Sequence, residues 1–282
     1  MILKDIKNIF HQELDSLYIK EEVDSFFYML IDSYYNISRI QLAIHSDLKI
    51  GDSEKILKAL KLLNQQKPIQ YILGETEFFG LPFKVNEHVL IPRPETEELV
   101  EWILNDQAVK PKDKLSVLDI GTGSGCIAIS LAKNLPNTKV YALDVSAEAL
   151  HIAKQNAKLN EVDIEFIEAS ILEQPIIDEE FDIIVSNPPY VRKQEKQEMK
   201  ANVIDNEPHS ALFVENENPL KFYKAITEFA LNNLTTEGAL YFEINEYLGN
   251  KMIELLADND FKNIKLKQDI FKKDRMIKGI KN

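Results

Sequence analysis

The chain has 282 residues, of which 45% are hydrophobic and 28% are charged, and its formal net charge is −13. This composition is typical of a globular chain, and the length suits one main domain with a smaller one beside it. The acidic total argues against a broad, non-specific hold on nucleic-acid phosphate, so direct nucleic-acid binding is not expected.

The sequence predicts a cytoplasmic location. The single cysteine, Cys126, excludes an internal disulfide and fits a reducing compartment. No apolar run approaches the ~20 residues that a membrane span needs, so no membrane partner is expected. The first residues lead directly into an amphipathic pattern and lack the layout of a signal peptide.

Residues 1–68 have the periodicity of amphipathic helices. Apolar side chains recur on one helical face in three stretches, over residues 2–17, 23–34 and 56–63. Ser53 is the predicted N-cap of the third helix, and Pro68 ends it. No chemistry is visible here. The aromatic stripe predicts a core, and the segment is interpreted as a small helical domain that docks a partner.

Residues 69–92 change character. They contain short runs typical of strands, separated by glycine and proline, at residues 71–74, 78–80, 83–85 and 89–91. A turn at residues 80–82 predicts a β-hairpin connector. The next residues, 93–98, combine prolines with carboxylates, which is good chemistry for a helix start. They could also form a lid beside a ligand through Arg93, but the pattern alone favours the capped helix.

A glycine loop follows the buried run Leu115–Ile120. Its glycines are Gly121, Gly123 and Gly125, and a helix of small residues begins after them. Without Cβ atoms such a backbone approaches a ligand closely, and its N–H groups are expected to point outward. The dinucleotide fingerprint requires glycine at the first, third and sixth positions, which this loop lacks. The loop also matches neither the phosphate loop of NTPases nor the Gly-x-Ser-x-Gly nucleophile elbow around Ser124.

The next two strands end in residues suited to a nucleoside. The run 139–144 ends at Asp144, which is placed to accept hydrogen bonds from both ribose hydroxyls. Asp144 could instead cap the helix 146–159, but the distance from the glycine loop favours the ribose. The run 163–167 is followed by Ser170 and Ile171, which are predicted to flank an adenine.

A fourth buried strand, Phe181–Ser186, runs into Asn187-Pro188-Pro189-Tyr190. The two prolines end the hydrogen-bonded ladder and stiffen the loop. Open α/β sheets bind their ligands at the carboxyl ends of such strands. The loop there carries an amide, a proline carbonyl and an aromatic ring. By itself this motif is equally consistent with a turn that closes a core strand.

Strands alternate with helices through the rest of the chain. A fifth strand is predicted at residues 238–244 and a closing antiparallel pair at 264–268 and 275–280. This order predicts an α/β fold over residues 93–282, with a doubly wound seven-stranded sheet and right-handed crossovers.

The motifs together resemble a known enzyme family. The glycine loop after Asp119, the acid Asp144 and the Asn-Pro-Pro-Tyr loop are similar to those of class I S-adenosylmethionine-dependent methyltransferases acting on an amino or amide nitrogen. Residues 68–74, 83–85 and 89–97, with Glu207-Pro208, Glu243-Ile244 and Asp274-Arg275, resemble the glutamine N5-methyltransferases of peptide-chain release factors. The similarity covers nearly the whole chain. Two departures are Ser170, where an acid is frequent, and Val214-Glu215, where a Gly-Gly pair is common.

The resemblance implies a Rossmann-like methyltransferase sheet, S-adenosylmethionine as cofactor, and the glutamine of a Gly-Gly-Gln motif in peptide-chain release factors as methyl acceptor. The five histidines are scattered without metal-ligand spacing, so no metal is implied. The resemblance also implies that Asn187 and Pro188 accept the two N–H bonds of that glutamine, that Pro189 stiffens the loop and that Tyr190 stacks on the amide plane. The residues implied to bind the cofactor are Gly121, Thr122, Gly123, Ser124, Gly125, Asp144, Ser170, Ile171 and Asn187.

Three alternatives remain at this point. A DNA or RNA amino-methyltransferase uses the same Asn-Pro-Pro-Tyr chemistry, because an exocyclic amine presents similar N–H geometry. The acidic charge and the lack of a basic recognition segment count against it. A non-catalytic nucleoside-binding or docking module is disfavoured by the intact loop. A hydride-transferring dehydrogenase is disfavoured by the glycine spacing.

Overall fold

The structure is a computed structural model and describes residues 1–45, 47–109, 114–199 and 201–282. The chain divides into two compact units. The first comprises residues 1–74 with the helix Ala201–Asn206, and the second comprises residues 75–199 and 207–282.

The first unit is helical. Its helices are α1 (Leu3–Leu14), α2 (Lys20–Tyr35), α3 (Arg39–Ile44), α4 (Glu54–Asn64) and α5 (Ile69–Leu73). Fully buried apolar side chains from α1, α2 and α4 form its core, and the rings of Phe10 and Phe27 meet edge to face at 5.6 Å. The apolar periodicity of the sequence therefore corresponds to one continuous core.

Ser53 occupies the N-cap position of α4 as predicted but makes no side-chain capping hydrogen bond, whereas Asp52 accepts one from the backbone N–H of Glu54 at 2.8 Å. Two other local predictions in this region were wrong. Pro68 does not end α4, which ends at Asn64, but is the N-cap of α5. The run at residues 71–74, interpreted as strand-like, belongs to α5, which Gly74 ends in the left-handed conformation. Short apolar runs do not by themselves distinguish a helix from a strand.

The second unit opens with a hairpin of β1 (Glu75–Phe78) and β2 (Leu81–Lys84), with Phe79 and Gly80 between them. The hairpin thus occupies only part of the predicted connector 69–92. Residues 89–91 were expected in a strand, but they form none. Val89 and Ile91 are nevertheless buried, which explains their apolar character. The helix α6 (Pro94–Val109) follows.

A seven-stranded sheet dominates the second unit, as predicted. Its parallel strands are β3 (Leu115–Ile120), β4 (Thr138–Asp144), β5 (Glu165–Glu168), β6 (Phe181–Ser186) and β9 (Leu234–Glu243). The short strands β7 (Val191–Arg192) and β8 (Phe213–Val214) lie between β6 and β9 in the chain and form a separate pair. The antiparallel pair β10 (Lys262–Gln268) and β11 (Asp274–Ile280) closes the seven-stranded sheet. The order across the sheet is β10-β11-β9-β6-β3-β4-β5.

Helices cover both faces of this sheet. The helices of this unit after α6 are α7 (Cys126–Asn134), α8 (Ala147–Leu159), α10 (His209–Leu212), α11 (Lys221–Asn233) and α12 (Gly249–Asp258). The helix between α8 and α10 in the chain, α9 (Ala201–Asn206), belongs to the first unit. Short 3₁₀ segments lie at Ile171–Glu173 and Lys193–Glu198. Successive residues of one strand enter opposite cores: Ile183 packs with α6 and α7, and Ile184 packs with α11 and α12. This explains why the central strands are continuous apolar runs.

Candidate active site

A cavity of about 430 Å³ lies in the second unit where the parallel strands β3, β4, β5 and β6 end. This is the edge at which open α/β sheets bind their ligands. Its wall includes most of the predicted site residues: Gly121, Thr122, Gly123, Ser124, Asp144, Ser170, Ile171, Asn187, Pro188 and Pro189. The topology therefore brings the loops after four strands together around one volume.

The glycine loop presents open backbone to this cavity. Gly121 has a φ of +74°, and a Cβ built on it would meet no atom within 4 Å. The expectation that the loop N–H groups point outward was wrong for four of them. The N–H groups of Gly121 and Thr122 donate to Leu143, that of Gly123 donates to Asp144, and that of Gly125 donates to Thr122. The loop therefore offers space beside its Cα atoms rather than these four donors.

Gly125 lies outside the cavity lining and has a different task. It caps α7 with a φ of +82°. A Cβ there would lie 2.9 Å from Ile129 Cδ1 and 3.2 Å from Ala153 Cβ. Since real Cβ atoms do not come so close, Gly125 allows α7 and α8 to pack tightly behind the loop.

Asp119, near the end of β3, holds the glycine loop and the start of α7 through hydrogen bonds. Its Oδ2 accepts hydrogen bonds from the Thr122 hydroxyl at 2.7 Å and from the Ala128 N–H at 3.3 Å. Its Oδ1 is buried and has no hydrogen-bond partner among the described residues. Burial, with a smaller contribution from the nearby Asp144, raises the pKa of Asp119 to about 7.

Asp144 is held in the cavity wall by backbone donors. Its Oδ2 accepts from the Gly123 N–H at 2.8 Å, and its Oδ1 accepts from the Ser146 N–H at 3.0 Å. The N-cap of α8 is Ser146, whose hydroxyl accepts from Ala149, so the alternative role of Asp144 as the cap is wrong. Each carboxylate oxygen has a further lone pair for a ligand hydroxyl. Burial raises the pKa of Asp144.

The part of the cavity wall that follows β5 is largely apolar. Ile171 is buried, and it lines the cavity together with Ser170 and Leu172 at the start of the 3₁₀ segment after β5. An apolar surface with one hydroxyl is suited to the face and edge of a flat heteroaromatic ring.

The Asn-Pro-Pro-Tyr loop is tied to two other elements. Asn187 Nδ2 donates to the Thr96 hydroxyl at 3.3 Å, and that hydroxyl donates to Glu243 Oε2 at 2.6 Å. The Tyr190 hydroxyl donates to the other oxygen, Glu243 Oε1, at 3.0 Å. Asn245 Nδ2 donates to the Tyr190 carbonyl at 3.2 Å. These hydrogen bonds therefore fix the loop, which follows the end of β6, relative to the start of α6 and the end of β9.

Tyr190 is not part of the cavity lining. Its ring packs beside the core on the α11 face, and its hydroxyl points to Glu243. Burial and the Glu243 carboxylate raise the pKa of Tyr190, so its hydroxyl keeps its proton and acts as a donor. The predicted stacking of Tyr190 on a substrate amide stays a prediction.

Comparison with known proteins gives this cavity its context. Residues 103–217 match the family described as Methyltransferase small domain. The release factor glutamine methyltransferase of Flavobacterium psychrophilum is 55% identical over 282 residues, which cover 99% of each chain. That of Bacteroides thetaiotaomicron is 42% identical over 94% of this chain and 95% of its own. The chain belongs to the release factor glutamine methyltransferase family.

The fold of this family member is also found among solved structures. The 16S rRNA N2 methyltransferase of Thermus thermophilus, solved in complex with AdoMet and guanosine, superposes with a TM-score of 0.55 at 17% identity. It covers 74% of this chain and 50% of its own. At that identity the likeness concerns the Rossmann-like fold alone, and the nucleic-acid alternative is not favoured, since the full-length relatives are release factor enzymes.

The family's site contains residues that the sequence did not single out. Thr96 was expected only as part of a helix start, and Glu243 only as part of a wider similarity. The available signal was a carboxylate that ends the apolar strand β9. Glu243 is 1% exposed, and its carboxylate accepts from two hydroxyls, because a buried carboxylate needs hydrogen-bond donors that one facing solvent does not.

The position of Arg93 bears on the two interpretations of residues 93–98, as a helix start or as a segment beside a ligand. Arg93 lines the cavity immediately before α6, and its Nη2 donates to Glu207 Oε1 at 2.6 Å. Residues 93–98 therefore serve both as a helix start and as part of the cavity wall. Among the described residues, no helix is long and apolar enough to cross a membrane. In the same ranges no cluster of three or more His, Cys, Asp or Glu residues could hold a metal ion.

Proposed function

We propose that this protein transfers a methyl group from S-adenosylmethionine to the side-chain amide nitrogen, N5, of the glutamine in the Gly-Gly-Gln motif of peptide-chain release factors. The observation that carries the proposal is the orientation of Asn187 at the cavity. Its Nδ2 donates to Thr96, which leaves Oδ1 as the acceptor, and both Asn187 and Pro188 line the cavity. Similarity to release factor glutamine methyltransferases over the full chain supports it.

The residues around the cavity fit the cofactor. Its volume of about 430 Å³ is in the range of small-molecule sites. We assign the ribose hydroxyls to Asp144, the adenine to Ser170 and Ile171, and the amino-acid portion to the open side of the loop from Gly121 to Ser124. S-adenosylmethionine supplies an electrophilic methyl group on a positively charged sulfur.

Asn187 and Pro188 supply the catalytic groups of the proposal. An amide nitrogen is a poor nucleophile because its lone pair is delocalised into the carbonyl. Two fixed acceptors, Asn187 Oδ1 and the Pro188 carbonyl oxygen, would bind its two N–H groups and orient the nitrogen. They would also stabilise the positive charge that develops on the nitrogen as the C–N bond forms and the bond between the methyl group and the cofactor sulfur breaks, which would leave S-adenosylhomocysteine. The nitrogen then loses a proton readily, so no general base is needed.

Pro189 and Tyr190 act on the loop itself. Pro189 restricts the backbone beside the two acceptors. Tyr190 anchors the end of the loop through its hydrogen bond to Glu243. Preorganisation of this kind matters because acceptors that are already in place cost no reorganisation during the reaction.

We further propose three domains: residues 1–68 dock the release factor, residues 69–92 connect, and residues 93–282 bind the cofactor and react. The compact helical core of the first unit gives the docking domain a defined surface. The protein would then act in the cytoplasm, where translation termination takes place and where its buried cysteine stays reduced.

Methyl transfer from labelled S-adenosylmethionine to a purified release factor tests the proposal. The matched substrate is the same factor with the glutamine of its Gly-Gly-Gln motif replaced. Label in the first and none in the second is the expected result. Label in neither, with cofactor still bound, would reject the release factor as substrate. Equal label in both would reject that glutamine as acceptor.

A further inference from the structure

Glu243 connects two parts of the site that are far apart in sequence. It ends β9 and is 1% exposed. One of its oxygens accepts from the hydroxyl of Thr96, in the first turn of α6, at 2.6 Å. The other accepts from Tyr190, at the end of the Asn-Pro-Pro-Tyr loop, at 3.0 Å. A single buried carboxylate therefore receives one hydroxyl proton on each of its oxygens.

This arrangement fixes the direction of the next hydrogen bond. A threonine hydroxyl has one proton, and an ionised carboxylate can only accept. Because the proton of Thr96 is directed to Glu243, the Thr96 oxygen can only accept from Asn187. An amide nitrogen donates and an amide oxygen does not, so Nδ2 of Asn187 lies against Thr96 at 3.3 Å. Oδ1 is left at the opposite end of the amide.

We propose that Thr96 and Glu243 are positioning residues for methyl transfer, which hold the Asn187 amide in the one direction that presents its oxygen to the substrate amide. This inference rests on the proposed function, because it assigns the Asn187 oxygen to the acceptor glutamine. Without the Thr96 hydroxyl the amide can turn by half a rotation and present its N–H₂ group. That group would meet the N–H bonds of the substrate.

Burial raises the pKa of Glu243, whereas the hydroxyls of Thr96 and Tyr190 and the charge of Arg275 lower it and favour the ionised, accepting form. The positively charged neighbour is Arg275 on β11, whose Nε donates to Asp269 at 3.0 Å. The negative charge of Glu95 on α6 has the opposite effect and raises the pKa of Glu243. Tyr223, on α11, donates to the backbone carbonyl of Glu243 at 3.1 Å and thereby holds the strand end. The carboxylate thus receives hydroxyl donors from α6 and from the Asn-Pro-Pro-Tyr loop, and a positive charge on β11 lies nearby.

The test compares two threonine-to-valine changes of equal shape. Thr96→Val removes the hydroxyl that orients Asn187. Thr227→Val, on α11, is the matched control, because Thr227 is fully buried and its hydroxyl has no partner among the described residues. Thr96→Ser restores the hydroxyl. Turnover, KM for the release factor, affinity for S-adenosylhomocysteine and thermal midpoint are measured for each variant.

Thr96→Val is expected to lower kcat about 100-fold, since small misplacements of a positioned group have effects of that order. KM and S-adenosylhomocysteine affinity should change much less, Thr96→Ser should recover most of kcat, and Thr227→Val should match the wild type. Unchanged kcat in Thr96→Val would overturn the proposal. An equal loss of kcat and of S-adenosylhomocysteine affinity in Thr96→Val would also overturn it, and so would a failure of Thr96→Ser to recover kcat. Either result would indicate that the substitution disturbs the fold as a whole.

Two further measurements keep the inference separate from the proposed function. The side-chain amide resonance of Asn187, identified by its loss in Asn187→Ala, should shift in Thr96→Val and not in Thr227→Val. If the wild type fails to methylate a release factor, this shift still reports on the orientation. Glu243→Gln, which offers one donor and one acceptor, should lower kcat as Thr96→Val does. No shift, or full turnover in Glu243→Gln, would reject the positioning role.

Discussion

The Arg93 guanidinium donates to Glu207 Oε1 at 2.6 Å, across 114 positions of sequence. The Glu207 side chain is only 1% exposed, and its second oxygen accepts from the backbone N–H of Ile91 at 3.3 Å. Because the neighbouring residues Pro92 and Pro208 both line the cavity, the ion pair between Arg93 and Glu207 holds two of the cavity walls together. It joins the segment before α6 to the segment before α10.

Breaking this pair should destabilise the protein. Arg93→Ala leaves the Glu207 carboxylate buried with one partner fewer, and truncating one member of a buried ion pair costs about 3–5 kcal/mol. Because Arg93 is one-third exposed, about 2 kcal/mol is the expected loss in the free energy of unfolding. Urea denaturation measures it. Lys273→Ala breaks an exposed pair with Glu246 and serves as control, and an equal effect of both changes would contradict the prediction.

Asn187→Asp should reduce turnover strongly while the cofactor still binds. Aspartate has no N–H to donate to Thr96, and it adds a negative charge near the buried Glu243. A loss of about 10²–10³ in kcat is expected for a misplaced acceptor. Steady-state kinetics and S-adenosylhomocysteine titration measure the two quantities. Asn232→Asp, an exposed position, is the control, and unchanged kcat in Asn187→Asp would refute the role of Asn187.

Asp144→Asn should lower the affinity for the cofactor and leave kcat at saturating cofactor unchanged. The change leaves one carbonyl oxygen for the Gly123 and Ser146 donors and removes the charge that accepts ribose hydroxyls. A hydrogen bond to a charged group contributes about 1.5–3 kcal/mol, so S-adenosylhomocysteine affinity should fall about 10- to 100-fold. Calorimetric titration measures it. A fall in kcat at saturating cofactor with unaltered affinity would place Asp144 elsewhere in the mechanism.

Stability should depend on pH through Asp119. Burial raises its pKa from 3.8 to about 7. An acid whose pKa is higher in the folded state contributes stability that is present at low pH and is lost as pH rises through the folded value. The thermal midpoint of the wild type should therefore fall between about pH 4 and about pH 7, relative to that of Asp119→Asn, and level off above this range. Parallel curves for the two proteins over this range would contradict the prediction.

Much of the fold could be predicted because its signals are local. The buried runs of β3 and β6, the glycine loop and the two prolines after Asn187 are contiguous in sequence, and each carries its own steric reason. The errors arose where local signals are ambiguous. Residues 69–73 are too short and too apolar for periodicity to separate helix from strand. Val89 and Ile91 are apolar because they are buried in the core, although their segment forms no strand.

The sequence by itself determined the elements and the identity of the loop residues at the cavity. Only the tertiary structure decided what holds them. Thr96 reaches Glu243 across 147 positions and Asn187 across 91, because β9 lies next to β6 and the first turn of α6 lies against both strand ends. Sheet order is set by how whole strands and helices pack. No local pattern encodes it, so the direction of the Asn187 amide emerges only in the folded chain.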